Sequence, residues 1–134
     1  MARPSPFFAR IRGDVLAIVA TVPPGRVVTF RDVGAHLDVV PRHVAYLLAT
    51  PDAADAARFP WHRAVPDDGV LTPDKRGADG ARQRDLLADE GHVVGANGAL
   101  AGLAAARVTV DTLPHGVAKQ TRPADAPVAR RRGR

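Results

Sequence analysis

The chain has 134 residues and a mass of 14.1 kDa, enough for one domain or for one domain with a tail. Aromatic residues make up only 4%, so aliphatic side chains must supply most of any core. Cysteine is absent, which excludes disulfides, thiolate metal sites and cysteine nucleophiles. No apolar run approaches the roughly 18 residues needed to span a bilayer, and the N-terminus lacks a charged-then-apolar signal pattern, so a soluble intracellular protein is expected.

The net charge of +5 is unevenly placed. Residues 1–113 hold 13 Lys/Arg and 13 Asp/Glu, whereas residues 114–134 hold Lys119, Arg122, Arg130, Arg131, Arg132 and Arg134 against Asp125 alone. Arginine outnumbers lysine 17 to 2. Such a basic tail suits either a polyanionic partner or a solvated arm, and composition does not choose between them.

Ser5-Pro6 reads as an N-cap followed by proline at the first helical position. Phe8, Ile11, Val15, Ile18, Val19 and Val22 then recur at spacings of three and four, one apolar face of a helix that Pro23-Pro24-Gly25 must end. Residues 26–28 read as a brief extended piece. Thr29 can cap a second helix over 30–37, with Asp32 at its third position. Pro41 suits the first turn of a third helix running to Ala49, and two short helices joined by a tight turn form a helix-turn-helix pattern. Residues 50–60 and 60–80 read as loops, and 81–90 as a helix with Leu86 and Leu87 facing inward. His92–Val94 and Val108–Val110 are expected to pair as strands of a small wing-like hairpin around a Gly-rich turn. From Pro114 onward no apolar periodicity remains, so 1–113 is expected to form the domain and 114–134 a disordered basic tail.

The five histidines show no paired ligand spacing, so no metal is expected, and no Gly-rich phosphate loop or Ser-His-Asp signature is present. The distinctive segment is Phe59-Pro60-Trp61-His62-Arg63-Ala64-Val65. A lone tryptophan between a proline and two basic residues is either a core anchor or a stacking wall for an aromatic ligand such as a nucleobase.

Four motifs occur together in order: Pro-Gly-x-Val-x-Thr-aromatic (Pro24 to Phe30), Arg-x-Val (Arg42 to Val44), Pro-x-His-Arg (Pro60 to Arg63) and Leu-Leu-x-x-Glu-Gly (Leu86 to Gly91). Over about residues 5–95 the chain thereby resembles the DNA-binding domain of the O6-alkylguanine-DNA alkyltransferases. The resemblance implies a mostly α fold with a small β element, a winged helix-turn-helix-like core. In the enzymes the second position of Pro-x-His-Arg is the cysteine that takes the alkyl group, and here it is Trp61. That substitution marks the alkyltransferase-like proteins, which bind the lesion without repairing it. Dealkylation is a nucleophilic displacement that needs an activated thiolate, and an indole is no substitute.

The resemblance also implies roles for individual residues. Arg42, at the start of the recognition helix beside His43, would be the finger that fills the space of a flipped nucleotide. Phe30 stands where the family usually has the tyrosine that rotates the lesion's 3′ phosphate. Ala45 replaces a common glycine, and Tyr46 follows it on the DNA-facing surface. Trp61 would wall the lesion pocket beside Arg63, while His62 and Glu90, with no thiol to activate, would remain a structural hydrogen-bonded pair. In the loop Lys75-Arg76-Gly77, Arg76 matches the basic residue that senses the lesion, and the serine typical of the enzymes is missing. Thr50 takes the place of a common asparagine. The implied function is non-enzymatic: binding duplex DNA, flipping O6-alkylguanine and flagging it for the nucleotide-excision repair proteins, as a cytoplasmic, nucleoid-associated monomer without cofactor or membrane. A helix-turn-helix regulator that reads DNA sequence is the competing expectation.

Overall fold

The structure is a computed structural model that describes residues 6–49, 59–77 and 80–120. The proposed caps and contacts of Ser5, Phe8 and Thr50, and the tail beyond Gln120, lie outside the described residues or side chains. Helix α1 spans Pro6–Ala20 and buries Ile11, Val15, Ile18 and Val19, with Leu16 beside them. The Thr21 hydroxyl donates to Ile18 O at 2.7 Å as the helix ends, and Val22 closes the apolar stripe. Pro23 and Pro24 then turn the chain, with Gly25 in the left-handed region at φ 83°. That conformation is strained for any residue with a Cβ.

Strand β1, Val28–Thr29, follows at once. Its fully buried Thr29 is extended, and its hydroxyl accepts from Asp32 N at 3.0 Å, so the expected cap starts α2 at Phe30–Leu37. The Asp32 carboxylate turns outward instead of back to the cap and takes two 2.7 Å hydrogen bonds from Arg107. Asp38 ends α2 in the left-handed region, φ 59°, a conformation that aspartate tolerates better than most residues. The turn is tight because Gly34 lies directly against the Val39 carbonyl, where a Cβ would collide. Helix α3, Pro41–Ala49, buries Val44, Leu47 and Leu48 and leaves Arg42, His43 and Tyr46 exposed. The expected helix-turn-helix is present.

Residues 60–80 contain more regular structure than a loop. A 3-10 turn at Trp61–Arg63 leads into β2, Ala64–Val65, which pairs in parallel with β1: Val28 opposite Ala64, Thr29 opposite Val65. Alternation across this two-stranded ribbon divides the interior. Val28 and Ala64 join the cluster of α1, α2 and α3, whereas Val27 and Val65 face a second cluster with Leu71, Leu87 and Leu100. Helix α4, Gln83–Asp89, contributes Leu87 to that second cluster, with Leu86 only half-buried.

The expected pairing of His92–Val94 with Val108–Val110 is not formed. Val94 bridges Leu100 in antiparallel fashion, and Val93 O accepts from Ala101 N at 2.9 Å. Meanwhile residues 106–108 run parallel to Val27, and Val110–Thr112 is a 3-10 turn. The physical reason is local. Gly95-Ala96-Asn97-Gly98 closes on itself, Gly98 N donating to Gly95 O and Gly95 N to Ala99 O, both at 2.9 Å. A six-residue closure costs less entropy than one spanning 108–110. The short helix α5, Leu103–Ala106, then returns the chain to β1.

The expected change to a disordered tail at 114 also differs from what is found in its first seven residues. Residues 114–120 lie against α2: Val117 packs on the first cluster, His36 Nε2 donates to Val117 O at 2.8 Å, and Gln120 N donates to His36 O at 2.8 Å. The partly buried Val117 and the hydrogen bonds to His36, invisible to helical or strand periodicity, hold the segment. No helix among the described residues is long and apolar enough to cross a membrane.

Candidate nucleic-acid interface

The β1–β2 pairing sets the start of α2 beside the Trp61–Arg63 turn, so residues 30 and 61–63 share one region although 31 positions separate Phe30 from Trp61. The centre of this region is the Glu90 carboxylate at the end of α4. His62 Nε2 donates to Glu90 Oε2 at 2.7 Å, the pair that the family resemblance implies. Arg63 adds a forked interaction, Nη2 to Oε2 at 2.7 Å and Nε to both oxygens at 3.0–3.1 Å. The Gly25 amide donates to Oε1 at 3.1 Å, and Arg63 Nη1 reaches Val22 O at 2.7 Å. One carboxylate therefore ties the end of α1, the turn after it, the Trp61 segment and α4 together. The Arg63 guanidinium, expected at the lesion pocket, is committed to this internal bridge.

The three side chains are 12–15% exposed. Burial alone would raise the Glu90 carboxyl, but hydrogen bonds from Arg63, His62 and the Gly25 amide outweigh it and hold the group at about 2. Burial acts on His62 in the opposite sense, pushing its pKa below the ordinary value despite the Glu90 contact. His62 is accordingly neutral near pH 7, its Nε2–H donating to the carboxylate.

Trp61 is 5% exposed. The loop that covers it runs from Thr72 to Arg82, closed by an antiparallel bridge between Arg76 and Arg82 and by Gly77 N to Ala81 O at 2.9 Å. Gly77 rests on the indole: a Cβ there would stand 2.7–2.8 Å from Cζ2, Cε2 and Nε1. Only glycine permits that approach. Arg76 points along the loop, donating to Gly80 O at 2.8 Å and pairing with Asp74 at 3.2 Å. Its neighbour Lys75 turns inward, with Nζ 5.4 Å from the centroid of the Phe30 ring. Burial lowers the pKa of that ammonium. Phe30 itself is 8% exposed, so its ring is covered by Lys75 rather than open to solvent.

Two positioning residues escaped the sequence reading. Gln83 is 2% exposed and its amide donates to His62 O at 3.1 Å and Ala64 O at 3.0 Å, clamping the backbone that carries Trp61. In a helix read only for its apolar face, a glutamine looks like surface. Arg31, on α2, pairs with Asp67 after β2 at 3.4 Å and is 70% exposed, an ion pair worth little on its own. Arg42, His43 and Tyr46 form the exposed face of α3. Among the described residues no group of three or more metal-ligating side chains converges.

A helix-turn-helix backed by this carboxylate-centred network defines a known class of DNA-binding domain. Residues 10–92 match the family described as 6-O-methylguanine DNA methyltransferase, DNA binding domain, and the chain belongs to it. Two solved structures are similar in fold. S. pombe Atl1, crystallised with damaged DNA containing O6-carboxymethylguanine, is 21% identical over 75% of this chain and 96% of its own, with a TM-score of 0.62. S. pombe ATL in complex with DNA is 21% identical over 81% of this chain and 99% of its own, with a TM-score of 0.59. No curated protein is similar enough to count as a relative. Where the family's enzymes hold an acceptor cysteine, this chain has none anywhere, so it cannot take an alkyl group onto a thiolate.

Two consequences are measurable. Glu90 titrates at about 2 in the folded state against an ordinary 4.5, so its contribution is complete above pH 4.5 and is lost as pH falls toward 2. By linkage that displacement corresponds to roughly 3 kcal/mol. The lowered His62 works in the same direction, costing stability below its ordinary value of 6.5. Urea midpoints of the parent should therefore fall on acidification from pH 5 to pH 3, and Glu90→Gln should be less stable at pH 7 with a flatter profile over that range. Equal slopes for the two proteins would show that the network does not govern acid stability. Second, Gly77→Ala should push the loop off the indole, shifting the emission of Trp61 to the red and raising its quenching by iodide. An unchanged spectrum would mean that Gly77 does not seal the indole.

Proposed function

We propose that the protein recognises O6-alkylguanine in duplex DNA without repairing it. The observation that carries this reading is Trp61 in the acceptor position of Pro-Trp-His-Arg, within a His62–Glu90–Arg63 network that is otherwise intact. The network holds the segment in place, while the residue that would do chemistry is replaced by a flat aromatic surface. Crystals of S. pombe Atl1 with O6-carboxymethylguanine-containing DNA support the assignment of such a lesion to this fold.

In this reading α3 lies against the duplex, with His43 and Tyr46 facing it and Arg42 occupying the stack vacated by the flipped base. The alkylated guanine stacks against Trp61, and Arg76 or its neighbour Lys75 supplies the positive charge near it. Because Gly77 seals the indole, the loop 72–82 must lift to admit a base, giving up the Lys75–Phe30 contact and the 2.8 Å hydrogen bond from Gln83 N to Lys75 O as it does so. Flipping costs a few kcal/mol, about what one stacked base returns, so phosphate contacts and pocket hydrogen bonds must supply the remaining affinity. Phe30 keeps the steric part of the phosphate-rotating role but has no hydroxyl to donate. Arginines beyond residue 120 add attraction that is blind to the lesion and fades with salt. The stable complex, formed by a monomer, then marks the site for nucleotide-excision repair.

A titration of the full chain against matched duplexes with and without one O6-methylguanine tests this directly. Tighter binding to the alkylated duplex in several sequence contexts is expected, with a labelled methyl group remaining entirely on the DNA. Preference for one sequence regardless of alkylation would favour a regulator, and transfer of label to protein would overturn the non-enzymatic reading. Arg42→Ala should weaken lesion binding by roughly 1–3 kcal/mol, the range of a lost specific contact. A variant that binds as tightly as the parent would leave Arg42 a surface charge.

A further inference from the structure

Lysine is scarce in this chain: Lys75 and Lys119 stand against 17 arginines. Lys75 is nevertheless half-buried on the loop that covers the Trp61 wall. Its Nζ lies over the Phe30 ring at 5.4 Å, on the loop whose next residue but one, Gly77, covers the indole. The loop backbone is anchored there by Gln83 N to Lys75 O at 2.8 Å. The adjacent carboxylate does not neutralise the amine, because Asp74 Oδ1 is taken by Arg76 at 3.2 Å and Arg82 at 3.5 Å. Among the described residues Lys75 has no ion pair. Arginine could supply the same charge over Phe30 and would hold it more firmly, but it cannot act as an amine. Desolvation of the kind found here lowers the ammonium pKa and is a general means of making lysine nucleophilic.

The partner chemistry follows from the surroundings. The nucleotide that reaches this wall must leave the base stack, and unstacking is least costly when the base is damaged or absent. A nucleotide without a base presents, in its ring-opened form, an aldehyde at the sugar C1′. We infer that Lys75 is placed to capture abasic deoxyribose in duplex DNA as a reversible imine. The neutral ε-amine adds to C1′, forming the C–N bond as the carbonyl oxygen takes a proton. Loss of water from the resulting carbinolamine gives the imine, and water reverses it. No oxidant, reductant or leaving base is required. The capture lengthens residence on a lesion that offers no base to stack on Trp61. It rests on the proposed duplex binding and extends that same site to a second class of damage.

The test uses the full chain with a duplex carrying one abasic site, sodium cyanoborohydride to reduce any imine to a stable amine, and mass mapping of the crosslinked peptide. The expected result is a crosslink on Lys75 that is absent with intact duplex. Lys75→Arg, which keeps a cation beside Phe30, should reduce crosslinking at least tenfold. A crosslink carried by Lys119 or the α-amine, or one undiminished in Lys75→Arg, would overturn the inference, and parent mapping alone decides if that variant fails to fold. Gel-shift titration of the same preparation with O6-methylguanine duplex separates the two readings. Lesion binding without a Lys75 crosslink would remove the imine and leave lesion recognition standing. A Lys75 crosslink without preference for O6-methylguanine would support the imine and remove lesion recognition.

Discussion

The arrangement of this domain depends on one carboxylate. Glu90 collects the His62 imidazole, the Arg63 guanidinium and the Gly25 amide, the last of them 65 positions away in sequence. The donors come from the Trp61–Arg63 turn and from the turn after α1, so the carboxylate does what a larger core would otherwise do for a small, aliphatic-rich chain. A charge so enclosed is tolerated because its lone pairs are met by several donors and its charge by a guanidinium in a forked geometry. Arg63 extends the tie to the carbonyl at the end of the first apolar stripe, Val22 O.

In the family's enzymes the corresponding histidine and glutamate serve a thiol. Their survival here without any thiol is accounted for by the hydrogen bonds themselves: removing either would leave buried polar atoms without partners and would free the turn that positions residue 61. The position that differs is the one that holds the acceptor cysteine in the enzymes. Trp61 fills the space with a large apolar ring, gains the cover of Gly77 and packs edge-on to His62, with centroids 6.2 Å apart. Loss of the thiol and gain of a large buried aromatic ring are thus one substitution.

The loop over Trp61 divides labour between adjacent residues. Arg76 and Arg82 stiffen its outer edge through Asp74 and Gly80, while Lys75 turns inward onto Phe30 and Gly77 lies flat on the indole. Its inward contacts are a cation over a ring, a glycine against a ring, and the hydrogen bond from the buried Gln83 N to Lys75 O at 2.8 Å.

Much of this was legible in the amino-acid sequence because it rests on local chemistry. The apolar stripe of α1, the Pro-Pro-Gly stop, the Thr29 cap and the α2–α3 turn depend on residues within a few positions of one another, and the absence of cysteine alone excludes a thiolate acceptor. The spaced motifs marked the family and the His62–Glu90 pair. Tertiary structure decided what depends on long-range closure. It selected the partners of 93–94 and 107–108, because a tight Asn-Gly turn outcompetes a distant strand, and it folded 114–120 back onto α2 through backbone hydrogen bonds with His36 that no periodicity marks. It also committed Arg63 inward, buried Gln83 against the backbone of 62–64, and turned Lys75 rather than Arg76 toward Phe30. Those outcomes depend on which side of a loop faces the core. Adjacent residues differ in that respect only once the chain around them has packed.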